Sequence, residues 1–183
     1  MFLSLVLIMM SSTFAMAQEK YGFKVAGVDV TGDNYLDLTE ISGVSGKVSF
    51  DPNTRTLTLD NATIEIDGYN AILNQTCKDF VIELLGTNTF NVTNSAGIYL
   101  CESTTIMGGS GSKLTIENDR CAVLFESVPL EIVNCRLEVE GEWGISANDS
   151  VAEEVLTIRN SYIEATGPTG SICDIADLKL EGC

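Results

Sequence analysis

Residues 56–66 read TLTLDNATIEI, residues 130–141 read LEIVNCRLEVEG and residues 156–167 read LTIRNSYIEATG. Each is an alternating run, then an Asn with a small residue after it, then a second alternating run. Alternation places every second side chain on one face of an extended strand. Asn and Gly are the residues that most readily take left-handed backbone angles, so the centre of each stretch reads as a tight corner between two strands.

The corner recurs. Asn61, Gly86, Gly108, Asn134, Asn160 and Gly182 follow one another at a nearly constant spacing, within the range of solenoid repeats. Ala62, Thr87, Gly109, Cys135, Ser161 and Cys183 come directly after them, and Leu59, Leu84, Ile106, Ile132, Ile158 and Leu180 lie two positions before. A second column, Ile72, Ile98, Val123, Ile145 and Ile172, marks another short strand in each repeat. A third comprises Ile64/Ile66, Phe90/Val92, Leu114/Ile116, Leu137/Val139 and Ile163/Ala165. Three short strands in a repeat of this length describe a coil of a parallel β-helix, an all-β solenoid whose inward ladders share one core. Helical repeats are excluded because no stretch after the N-terminal leader holds i, i+3, i+4, i+7 spacing. Leucine-rich repeats are excluded because their L-x-x-L-x-L spacing is absent.

Residues 1–17, MFLSLVLIMMSSTFAMA, read as a cleaved secretory leader ending in A-M-A. Ser11, Ser12 and Thr13 interrupt the apolar stretch too early for a membrane anchor, so no membrane insertion is expected after cleavage. The chain is therefore expected to be secreted or carried to the cell surface or periplasm. Residues 18–50 form an expected N-terminal cap, with a hairpin and a turn at Thr31-Gly32-Asp33-Asn34. Residues 51–183 form the β-helix, which stops in mid-repeat as though truncated. The net charge of −16, with no histidine, argues against nucleic acid as a partner, since that binding needs Lys and Arg to displace counterions. It favours cations.

Six cysteines in an exported chain suggest disulfides. The repeat places Cys135 and Cys183 two coils apart, ~9.6 Å, beyond disulfide reach. Cys121 and Cys173 are similarly separated. Only Cys77 and Cys101, in successive coils, could meet. Without a CxxC, zinc is not indicated.

The stretches YGFKVAGVDVTGDN (21–34), GKVSFDPNTRTLTLDNATI (46–64) and IELLGTNTFNV (82–92) resemble the opening of a family of secreted bacterial carbohydrate-binding β-helix domains related to polysaccharide lyases. The resemblance covers residues 21–183. It implies a right-handed parallel β-helix that binds acidic plant polysaccharide or cellulose and holds calcium.

Lyase chemistry needs an outward Arg or Lys as base. The outward first-strand positions are Tyr99, Leu124, Ser146 and Cys173, none of which abstracts a proton at neutral pH without an unusual shift. No catalytic residues are assigned. The third-strand face is expected to carry the outward columns Glu65, Asn91, Thr115, Glu138, Glu164 and Asp67, Thr93, Glu117, Glu140, Thr166. Calcium is the expected cofactor, bridging coils through Glu117, Glu138, Glu140 and Glu164, because hard cations gather several oxygens. Trp143, just before the first strand of its coil and beside the column of Tyr99, and Tyr99 itself are the expected sugar contacts. The functional expectation is a non-catalytic polysaccharide-binding module. The alternatives are a structural spacer of a larger surface protein and a lyase-like enzyme.

Overall fold

The computed structural model describes residues 18–183; the expected leader lies outside the described residues. The chain folds as a parallel β-helix of about five turns, with no helix among the described residues. Three ladders of short strands run along it. The first stacks β5 (Ile72–Asn74), β8 (Ile98–Leu100), β11 (Cys121–Phe125), β14 (Trp143–Ser146) and β17 (Gly170–Cys173). The second stacks β6 (Phe80–Leu85), β9 (Thr104–Gly108), β12 (Leu130–Val133), β15 (Val155–Arg159) and β18 (Asp177–Glu181). The third stacks β7 (Thr87–Thr93), β10 (Lys113–Asn118), β13 (Arg136–Glu140) and β16 (Tyr162–Thr166). The long strand β4 (Thr56–Asp67) turns through Asn61 and pairs with both β6 and β7, joining the second and third ladders.

Burial alternates along the strands as the sequence pattern requires. Leu57, Ile82, Ile106, Ile132 and Ile158 form one inward column of the second ladder. Ile64, Phe90, Ile116 and Val139 form another in the third. Each fully buried side chain contributes ~1.5–3 kcal/mol relative to exposure, and each depends on the coil above and below for its cover. At the last coil this cover stops: Leu178 and Leu180, in register with buried Leu156 and Ile158, are 41% and 60% exposed.

The cap is antiparallel. β1 (Lys20–Val25) and β2 (Val28–Thr31) form a hairpin that pairs through β1 with β5, and β3 (Val44–Asp51) pairs with β4. The hairpin turns at Ala26-Gly27, both with positive φ, rather than at Thr31–Asn34. The latter is a separate turn after β2, closed by the Thr31 N–H donating to Asn34 Oδ1 at 2.8 Å. Phe23, Phe50 and Phe80 meet with centroid separations of 4.7 to 6.3 Å and seal this end of the core.

Five of the six expected corners take the left-handed conformation: Asn61, Gly86, Asn134, Asn160 and Gly182 have φ between 46° and 66°. Gly108 does not. It pairs with Leu84 at the end of β9, and a loop through Gly111 (φ 87°) makes that corner instead. Gly108 is small for a packing reason: a Cβ there would lie 2.6 Å from the Ser112 Cβ and 3.2 Å from that of Cys135.

The loop shifts the third-ladder register from the expected one. Ile64 and Phe90 align with Ile116 and Val139, whereas the sequence reading set them beside Leu114 and Leu137. Leu114 and Leu137 stack instead on Asn88, which donates to the carbonyls of Leu85 and Lys113 and so occupies an inward polar place. The outward columns move with them. One is Thr63, Thr89, Thr115, Glu138, Glu164; the next is Glu65, Asn91, Glu117, Glu140, Thr166. Asp67 and Thr93 form a further pair, hydrogen-bonded at 2.8 Å.

All six cysteines are free thiols, so the expected possibility of a Cys77–Cys101 bridge is not realised.

Candidate functional site

The outward side of β10, β13 and β16 forms a three-by-three array. Its rows, read across the coils, are Lys113/Arg136/Tyr162, then Thr115/Glu138/Glu164, then Glu117/Glu140/Thr166. Positions within a row are ~4.8 Å apart and rows are ~6.6 Å apart, because same-face residues alternate along a strand. The register puts Glu117 beside Glu140 and Glu138 beside Glu164, the two adjacencies expected from the sequence.

The four glutamates do not share one environment. Glu138 takes Lys113 Nζ at 2.5 Å and also the guanidinium of Arg136. Hydrogen bonds from Lys113 and then Arg136 hold its carboxyl below the usual range. Glu164 accepts from the Tyr162 hydroxyl at 3.1 Å and lies 4.0 Å from Arg136. Glu117 and Glu140 are exposed. Among the described residues no group of three or more acidic, Cys or His side chains is gathered closely enough to hold a metal ion. Of the four expected ligands, Glu138 is taken up by Lys113 and Arg136, so the array does not gather the four carboxylates around one cation. A shallow groove of about 200 Å³ runs over this part of the array.

A larger groove of about 450 Å³ adjoins it at the corner, lined by Lys113, Asn134, Arg136, Asn160 and Tyr162, with Ser110 and Gly111 of the inserted loop along its side. Arg136 lies over the Tyr162 ring, 4.1 Å from its centroid, a cation–π stack that braces the ring. Tyr162 is still 50% exposed. The sequence reading missed it. The signal was present in the corner phase: Tyr162 lies two positions after Asn160, as Arg136 does after Asn134, so both belong to one outward row.

The expected sugar contacts lie on the first ladder and are separate. Tyr99 aligns with Leu73, Leu124, Ser146 and Cys173. Its hydroxyl donates to Glu126, and that bond, then burial, raises its pKa. Its polar end is therefore occupied. Trp143 is the first residue of β14 and aligns with Cys121 and Gly170, three positions from the Tyr99 column. Two coils and three positions along the strand separate the two residues, roughly 14 Å, so Trp143 does not lie beside the Tyr99 column as expected. The indole packs beside Gly170, where a Cβ would sit 3.7 Å from Trp143 Cδ1. Ser146, expected outward, is buried, and its hydroxyl donates at 2.8 Å to the carbonyl of Ala147, the first residue of the segment that leads to β15.

That segment is tied down by Glu154, a fully buried carboxylate. It accepts backbone N–H bonds from Ser127 and Val151 at 2.9 Å, Asn148 at 3.2 Å and Asp149 at 3.3 Å. Burial pushes its pKa up, but the four N–H groups outweigh burial and hold it below the ordinary glutamate value.

No family model matches the chain, and no curated protein or solved structure matches it either.

Proposed function

We propose that the domain is an exported, non-catalytic polysaccharide-binding module that uses the outward face of the third ladder. The observation that carries this reading is the continuity of that face. Hydroxyl, amide, carboxylate and aromatic side chains lie in straight rows over successive coils, with two adjoining grooves across them. A polymer of hydroxylated rings presents repeating donors and acceptors, and a solenoid presents them back at a fixed spacing. The resemblance read from residues 21–92 points the same way. Calcium joins the reading at Glu117 and Glu140, whose neighbouring charges repel unless a cation lies between them.

The test is affinity electrophoresis in native gels cast with soluble polysaccharides of differing charge and backbone. Retardation by at least one polymer, without release of reducing or unsaturated ends, is the expected result. Uniform mobility in every gel would leave the spacer role as the better reading. Ultraviolet-absorbing products from pectin would replace both with a lyase.

A further inference from the structure

We infer that the corner groove at Lys113, Asn134, Arg136, Asn160 and Tyr162 is the sugar-binding subsite, and that it takes an uncharged glycan without calcium. This rests on the proposed glycan-binding function and names its site and ligand class.

Size favours this groove over the carboxylate one. Small-molecule sites generally occupy ~300–1,000 Å³. The corner groove, at about 450 Å³, falls in that range, and the carboxylate groove, at about 200 Å³, falls below it. Lining residues come from β7, β10, β13 and β16, so the groove crosses four successive coils and follows the solenoid axis. At the spacing of stacked strands, four coils span ~14 Å.

Charge decides the ligand class. Lys113 and Arg136 would attract an anion if they were free, but both are bound to Glu138, and Arg136 also faces Glu164. Two cations and two carboxylates sum to zero at the groove. Around it the whole chain carries −16, which repels a polyanion over distances of a Debye length. A polyuronate therefore finds no net attraction here. A neutral glycan meets no such barrier. The Asn134 and Asn160 amides, both exposed at successive corners, offer donors and acceptors to its hydroxyls. The Tyr162 ring, held from one side by Arg136, offers an apolar face to a sugar ring.

Native gels would be run in EDTA and in millimolar calcium, with hydroxyethylcellulose, a neutral xylan and polygalacturonate. Wild-type protein should be retarded by a neutral polymer in EDTA. Tyr162→Ala should weaken this at least tenfold, with an unchanged circular dichroism spectrum, and Tyr162→Phe should retain it. Retardation of Tyr162→Ala equal to wild type would overturn the subsite. So would retention on polygalacturonate alone and only with calcium. In either case the polysaccharide-binding reading survives. Unretarded wild type in every gel would overturn both.

Discussion

The carboxylate of Glu154 accepts a 2.9 Å hydrogen bond from the backbone N–H of Ser127, 27 residues earlier and one coil away. Three further N–H groups from residues 148, 149 and 151 converge on the same side chain. One acid thus closes its own loop and pins it to the preceding coil. Glu154→Ala should cost ~2–4 kcal/mol, since bonds to a charged acceptor are worth more than neutral ones and the orphaned donors are partly buried. Glu154→Gln should cost less but remain destabilising, because its amide end presents one acceptor oxygen. Urea denaturation followed by circular dichroism measures both. Wild-type stability for either variant would show that water replaces the carboxylate.

The same site fixes a pH dependence. The folded pKa of Glu154 lies below its unfolded value, so the unfolded chain binds the proton more readily. Its contribution is complete above the ordinary glutamate pKa, about 4.3, and declines as pH falls through the folded pKa. Glu138, also lowered, acts in the same direction. Melting temperature should drop as the solution is acidified through this window, and the drop should be shallower in Glu154→Gln. Equal slopes in the two proteins would remove Glu154 from the account.

The corners were legible because left-handed backbone is costly for most side chains, so it leaves Asn or Gly behind. The register was not. In β10 both Leu114 and Ile116 point inward, and a period of two cannot say which of them faces Phe90. The shortened interval between Gly86 and Gly108 hides the fact that the left-handed residue of that coil is Gly111, beyond an added loop. Glu154 was invisible for a different reason. In sequence it is one of many acids in a polar segment, and only the folded loop aims four N–H groups at it. Tyr162 escapes any search for aromatics on the first ladder, because it lies on the third. The Glu117–Glu140 and Glu138–Glu164 adjacencies survive the register shift because those residues lie in β10, β13 and β16, which keep their expected alignment.

Corner substitutions should separate conformation from packing. Asn160→Gly keeps the left-handed angle accessible and should be nearly neutral. Asn160 has a φ of 46°, where a branched side chain is strained. Asn160→Val should therefore cost ~1–2 kcal/mol, the penalty of left-handed backbone for an ordinary L-residue. Gly108→Ala should also destabilise, though its φ is ordinary, because the new methyl meets Ser112. Ser112→Gly should restore part of that loss and none of the loss in Asn160→Val. Thermal melts of these variants, with the Gly108→Ala, Ser112→Gly double variant among them, test this.

The thiols should react in the order of their burial. Burial pushes Cys121 up to about 12 and Cys135 up to about 11, whereas Cys183 is exposed. At pH 8 an aromatic disulfide reagent should modify Cys183 first and leave Cys121 and Cys135 unmodified until denaturant is added. Cys135→Ser should fold normally, given its buried but small site against Gly108. Cys135→Leu should overpack it at a cost of ~1–3 kcal/mol. Immediate native modification of Cys135, located by peptide mass mapping, would contradict its placement.

Calcium should act through Glu117 and Glu140 and not through Glu138. The first two are in register on adjacent strands. Like charges ~4.8 Å apart in a water-like medium repel by about 1 kcal/mol or less. Without calcium, Glu117→Gln with Glu140→Gln should therefore be slightly more stable than wild type, since the repulsion is gone. Millimolar calcium should raise the wild-type melting temperature, because a ligand that prefers the folded state stabilises it, and should leave the double variant unmoved. Glu138→Gln should behave in the opposite way. It should lower the calcium-free melting temperature by freeing Lys113 and Arg136, and the calcium-induced rise should persist. Differential scanning calorimetry of the three proteins with EDTA, calcium or magnesium provides the comparison. An equal calcium response in wild type and the double variant would move any metal to another part of the acidic surface. No response in wild type would remove calcium from the proposed function, while the EDTA arm of the glycan gels still tests binding at Tyr162.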